Sequence, residues 1–311
     1  MLHLQVVVPD ELREPVLSML TAEPGVAHVA LYRGAGIRPA GDVLSADIAR
    51  ESANEILEKL KALRVAQRGA ITMEVIDTVV SRSAHHAERT ARGDPADALI
   101  WEELIERTRE ESSLNLTFLA FLCLACMIAA VGVVTNSAVT VVGAMVVGPE
   151  FGPLAALSVA LVRRRIDLAR RAVLALTIGF PVAMAVTGLV TLAGEAVGWV
   201  RLDDVHQLKA VDFIFQVGPL SVVVALLAGA AGMLSLTSAK SAALVGVFIS
   251  VTTVPAAGFA VVAATVGDWP VVGKSVAQLV VNLVCISVAG ALVLALRRRR
   301  SDRRQTQNRH G

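Results

Sequence analysis

Between Leu116 and Leu296 the chain reads as six apolar runs, at 116–134, 138–162, 172–198, 218–238, 241–266 and 276–296. Each exceeds the roughly 17 residues a helix needs to cross the hydrocarbon of a bilayer. No other feature constrains the fold as much, because backbone in lipid must satisfy its own polar groups and spaced runs of this length leave a helical bundle as the solution. The composition agrees: 55% of the residues are hydrophobic and only 18% charged, outside the range of an ordinary soluble chain. The reading is of an integral membrane protein with a bilayer as its first partner.

The second run is interrupted. Around Glu150 it carries Gly143, Gly148, Pro149, Gly152 and Pro153. The two prolines lack an N–H and the glycines relax the backbone, so carbonyls and amides near residues 145–153 are poorly served by a regular helix. Such backbone survives at membrane depth where protein buries it or water reaches it. Two explanations stay open: a proline kink healed by neighbouring helices, or a broken span that aims helix ends and carbonyls at a solute or ion, as transporters do near the midplane. Glu150 sharpens the choice, since an acid at a helix centre costs about 2.5 to 3.5 kcal/mol on insertion scales and is expected to face protein or water. A second break at Thr252, Thr253 and Pro255 could bring hydroxyls across from it.

The first 80 residues read differently. Leu2 to Val8 alternates as a strand; Val16, Leu17 and Leu20 lie at helical spacing; Val26 to Tyr32 and Leu44 to Ile48 read as further strands. Ser52-Ala-Asn-Glu55 has the form of a capping box ahead of Ile56, Leu57, Leu60 and Leu63, and Ile71, Met73 and Val75 make a fourth strand. The order βαββαβ predicts a ferredoxin-like α+β domain over 1–80, with helices on one face of an antiparallel sheet. A linker with an amphipathic helix around Trp101 to Arg107 follows over 81–114, then an all-α membrane domain over 115–297 and a basic tail over 298–311. No signal peptide is read ahead of the first domain. Cys123, Cys126 and Cys285 all fall in apolar runs, which points to buried thiols rather than a disulfide framework or metal site.

Arginine placement sets the orientation. Arg163, Arg164, Arg165, Arg170 and Arg171 crowd the end of the second run, Lys240 follows the fourth, and Arg297 to Arg300 follow the sixth, all on one side. Basic loops face the cytoplasm, so both termini and the first domain are expected there, with the protein in the inner (plasma) membrane. Ser137-Ala138, Gly143 and Pro149 have a sparse echo in Ser241-Ala242, Gly246 and Pro255. Two groups of three crossings are necessarily oppositely oriented, so a real echo would be an inverted repeat.

"GAMVVGPEFGP" (Gly143 to Pro153) following "TNSAV", the run "AGAAGMLSLTSAKSAALVGVFISVTTVPAAG", and Asn282 in the last span together resemble the DUF389 family of bacterial hydrophobic membrane proteins. The resemblance covers roughly Leu114 to Ala295. It brings Asn136, Ser137 and Asn282 into the candidate solute- or ion-binding set beside the residues of the two breaks. It departs from the family pattern at Glu150, where an apolar residue is common, and at Pro255-Ala256, where a proline pair is frequent. The family implies an architecture and carries no activity.

No phosphate-cradling glycine loop, metal-ligand cluster or nucleophile motif stands in the sequence, so no enzyme activity, cofactor or nucleic-acid partner is expected. The favoured function is a secondary transporter or ion-coupled carrier of a small solute, with the first domain sensing or promoting homo-oligomerisation through its sheet edges. The alternative is a membrane-anchored sensor or scaffold that transports nothing.

Overall fold

The computed structural model describes residues 1–76, 78–91, 99–198, 218–237 and 253–308, with side chains through Arg299. The chain forms two compact units, Met1–Glu103 and Leu104–Gly311.

The first unit runs β1 (Leu2–Val8), α1 (Asp10–Ala22), β2 (Val26–Ile37), β3 (Ala40–Ile48), α2 (Ala53–Ala62), α3 (Val65–Arg68), β4 (Ala70–Val75) and α4 (Arg82–Thr90). Its sheet has the order β2-β3-β1-β4 with every neighbouring pair antiparallel. The period of two in β1 turns Leu2, Leu4, Val6 and Val8 to one face, and the register Leu4↔Ala46 and Val6↔Leu44 brings the same face of β3 beside them. Val16 and Leu20 of α1 and Ile56, Leu57 and Leu60 of α2 complete that core. The strands outrun the expectation, since β2 and β3 extend into a hairpin through Ile37 and Ala40.

The capping box does not form. A 3-10 turn, Arg50–Ser52, precedes α2, so Ser52 is already helical and its hydroxyl caps nothing. Asn54 has the polar role instead: its amide donates to Leu99 O at 2.6 Å while its carbonyl accepts from Trp101 N at 3.2 Å. Ile100 thereby joins the core of the first unit.

In the second unit follow α6 (Leu116–Val134), α7 (Ala138–Val147), α8 (Phe151–Arg163), α9 (Ile166–Ala196), α10 (Pro219–Leu236), α11 (Val254–Thr265) and α12 (Trp269–Asn308); α5 (Trp101–Glu111) has residues in both units. Four of these helices are long and apolar enough to cross a membrane, and a fifth crossing is made if the bent pair α7 and α8 counts as one. The first half of the fifth predicted run, with Thr252 and the Ser241 to Gly246 echo, lies outside the described residues, as do Lys240 and residues 199–217.

Three boundaries differ from expectation for one reason. The third run begins at Ile166 rather than 172, and the sixth begins at Trp269 rather than 276 and continues through Arg297 to Asn308, so arginines read as loop and tail are helical. Hydropathy marks where a helix meets lipid and does not mark where its hydrogen bonding stops; arginine is a good helix former.

The bundle closes through small residues. A Cβ on Gly229 would lie 2.5 Å from Ile286 O, one on Gly132 2.8 Å from Val141 N, and one on Gly258 2.7 Å from Ala129 Cβ. Backbones approach at these points because dispersion contact must do the work that water cannot do in lipid. α8 packs on α9 and α12, α11 packs on α12 and α9, α6 pairs with α9 and with α11, and α10 pairs with α12.

Candidate functional site

Ser137 caps α7 through Thr140 N at 3.3 Å, and the helix then runs ten residues to Val147. Ten residues rise about 15 Å, half of a hydrocarbon core about 30 Å thick. There α7 ends, because Pro149 cannot donate the next bond and Gly148 turns to extended backbone at φ −62°, ψ 127°. α8 restarts at Phe151 with its axis bent by 56°.

Glu150 is the N-cap of α8, yet its side chain makes no capping bond to that helix. It is fully buried, and its Oε1 accepts a 2.7 Å hydrogen bond from Thr253 Oγ1. Thr253, also fully buried, is the N-cap of α11, which carries Pro255 in its first turn. Two helix N-termini separated by about a hundred residues of sequence therefore converge on one carboxylate. The first turn of a helix leaves amides without partners inside that helix and carries the positive end of its dipole, so both ends suit an acceptor group such as a carboxylate. Val254 packs with Ala125, Ala129 and Ala144, which puts the convergence against the middle of α6.

Gly148 is required by this approach. A Cβ there would strike the Glu150 carboxylate and stand 2.9 Å from Val254 Cγ2. Gly152 admits a different neighbour, since its Cβ would lie 2.6 Å from both Cβ and O of Glu111. A cleft of about 350 Å³ reaches the break, lined by Gly148, Pro149 and Phe151, by Phe118 and Phe121 of α6, and by Glu111. Pro153 is buried in the first turn of α8, where a missing N–H costs nothing.

The remaining candidates lie elsewhere. Gly143 sits within an unbroken α7 with open space where its Cβ would be, so it is no part of the break. Asn136, exposed and at φ 50°, forms the turn between α6 and α7, and Ser137 is engaged in capping; both stand at the far end of α7 from Glu150. Asn282 is fully buried and accepts from Gln278 Nε2 at 3.0 Å, and Ser221 of α10 donates to Gln278 Oε1 at 3.3 Å. This polar chain between α10 and α12 includes two residues that the sequence reading missed. The signal was present, because Ser275, Gln278 and Asn282 recur at three and four residues on one face of an apolar helix. Among the described residues no group of three or more His, Cys, Asp or Glu could hold a metal, and the three cysteines are free thiols.

A bundle of long apolar helices with one span broken at a buried acid defines the class: a helical protein compatible with a membrane. Residues 145–288 match the family described as Domain of unknown function (DUF389), which bears out the family read from the sequence and takes in both breaks and Asn282. No curated protein and no solved structure matches the chain.

Proposed function

We propose that the protein is a secondary transporter or ion-coupled carrier of a small solute. The observation that carries this reading is the Glu150–Thr253 hydrogen bond, which joins the first turns of two half-length helices from opposite halves of the bundle at a buried carboxylate. Half-helix ends and an acid at mid-depth are costly against lipid and useful as an ion or proton site.

The helix contacts support an arrangement of six spans in two inverted groups of three. Exchanging α6, α8 and α9 with α10, α11 and α12 maps the pairings α8–α9, α8–α12 and α6–α9 onto α11–α12, α11–α9 and α10–α12, while the α6–α11 pairing has no comparable counterpart between α10 and α8 among the described residues. The strand order β2-β3-β1-β4 supports a ferredoxin-like first domain, which we place in the cytoplasm as a sensing or oligomerisation module. A sensor or scaffold without transport is the reading favoured by the complete burial of Glu150, which leaves the carboxylate no direct opening to solvent.

Flux separates them. Proteoliposomes loaded with a pH-sensitive dye, challenged with proton and sodium gradients and a pooled solute library, should show gradient-dependent movement. Glu150→Gln, nearly isosteric and still able to accept from Thr253, should keep the fold and flatten the dependence of flux on the proton or cation gradient. Absence of flux under every gradient would sink the carrier, and unchanged gradient dependence in Glu150→Gln would remove the acid from it.

A further inference from the structure

One end of the helical bundle carries a surplus of positive charge beside exposed apolar surface. The turn between α8 and α9 is Arg163–Arg165, with Arg164 in the left-handed region at φ 54°; Arg170 and Arg171 follow on the second turn of α9. α12 comes to the same place where its apolar stretch gives way to arginines, because Arg298 Nη1 donates to Val162 O at 3.3 Å while Arg297 Nη1 donates to Thr237 O at 3.2 Å. The acid within these turns, Asp167, is taken twice: Arg165 forks onto it with bonds of 3.1 Å, and Arg109 reaches it at 3.3 Å. Arg164, Arg170, Arg171 and Arg299 are exposed and make no ion pair among the described residues.

Within a few residues of these arginines along the chain lie Leu161, Ile166 and Leu296, which are 55%, 75% and 52% exposed. A free anion has no use for that surface. A molecule with a phosphate at one end and acyl chains at the other fits both parts, since planar guanidinium groups grip phosphate bidentately and neighbouring leucine and isoleucine side chains cover hydrocarbon. We propose that this end of the bundle binds the headgroup of an anionic membrane phospholipid. Arg164, Arg170 and Arg171 hold the phosphate, and Leu161, Ile166 and Leu296 seat the chains. The site is independent of whether the break at Glu150 conducts anything.

The test uses the full chain purified in detergent, with phosphatidylglycerol, phosphatidylcholine of the same acyl chains, and inorganic phosphate as separate additives. Native mass spectrometry should retain phosphatidylglycerol and lose phosphatidylcholine, thermal unfolding should shift upward only with the former, and inorganic phosphate should leave the midpoint unchanged. Each basic residue near an anionic surface contributes on the order of 1 kcal/mol, so the combined variant Arg164→Gln, Arg170→Gln, Arg171→Gln should bind phosphatidylglycerol at least about tenfold more weakly. If that variant does not fold, Arg171→Gln alone should still show a measurable loss, and raised salt should weaken binding by the wild-type chain. Equal retention of the two lipids, an equal shift with inorganic phosphate, or undiminished binding by the arginine variants would each overturn the proposal.

Discussion

At the scale of single residues, two carboxylates are held by opposite means. Asp42, in β3 of the first unit, accepts from Gly34 N at 2.6 Å and from the Arg13 guanidinium. The Gly34 amide first, and the Arg13 side chain second, hold its pKa below the usual carboxylate range. A depressed folded-state value contributes stability above the unfolded pKa of about 3.9, lost as pH falls through the folded value. Thermal unfolding of the first unit within the full chain should accordingly weaken below about pH 4, whereas Asp42→Asn should unfold at lower temperature near neutrality and show a shallower acid dependence. Equal midpoints for the two proteins at pH 7 would show that the Asp42 contacts contribute nothing. Glu150 instead depends on a neutral hydroxyl and two helix ends. Its break was legible in the sequence because proline and glycine act through the backbone whatever surrounds them. Thr253 could be named as a possible partner, while Asn136 and Ser137 could not be told from a site, since a polar residue in an apolar run serves equally as a helix cap.

Helices report a different balance of local and distant information. Their presence followed from hydropathy, but their ends followed from hydrogen bonding, which is why α9 and α12 begin or finish outside the apolar windows. Glycines show the same division. Gly143 and Gly229 are indistinguishable as letters in apolar runs, yet one faces open space and the other lets α10 touch the backbone of α12. Gly229→Ala should destabilise the detergent-purified protein by about 1 to 3 kcal/mol, the usual result of forcing a methyl into a packed core, because Ile286 O cannot retreat without parting two helices. Gly143→Ala should be neutral or stabilise by up to about 1 kcal/mol through helix propensity. Midpoints in the reverse order would mean that α10 and α12 do not approach as described.

For the whole molecule the open quantity is direction across the membrane. Arg297 and Arg298 tie α12 to the ends of α10 and α8, so these helices meet at one face, basic on α8 and α12, and Asn136 lies at the other end of α7. In a chain lacking Cys123, Cys126 and Cys285, a cysteine replacing Asn136 should react with an impermeant maleimide added to intact cells, and one replacing Ser301 should react only after lysis. The opposite pattern would place the basic face and both termini outside. Membership of a helical bundle was readable from the runs alone; the meeting of α8 and α11 was not, since it depends on packing between residues a hundred positions apart. That meeting also fixes a phase. Each residue added to a helix rotates the remainder of that helix by about 100° around its axis. A single insertion within α8 would turn its later residues, which pack on α9 and α12, out of phase with Glu150 and draw the carboxylate away from Thr253, whereas one in the exposed turn at Asn136 can be absorbed as loop. An added residue is therefore expected to be tolerated in the turns and not within α8 or α11, whose phase behaves as a reading frame written in three dimensions.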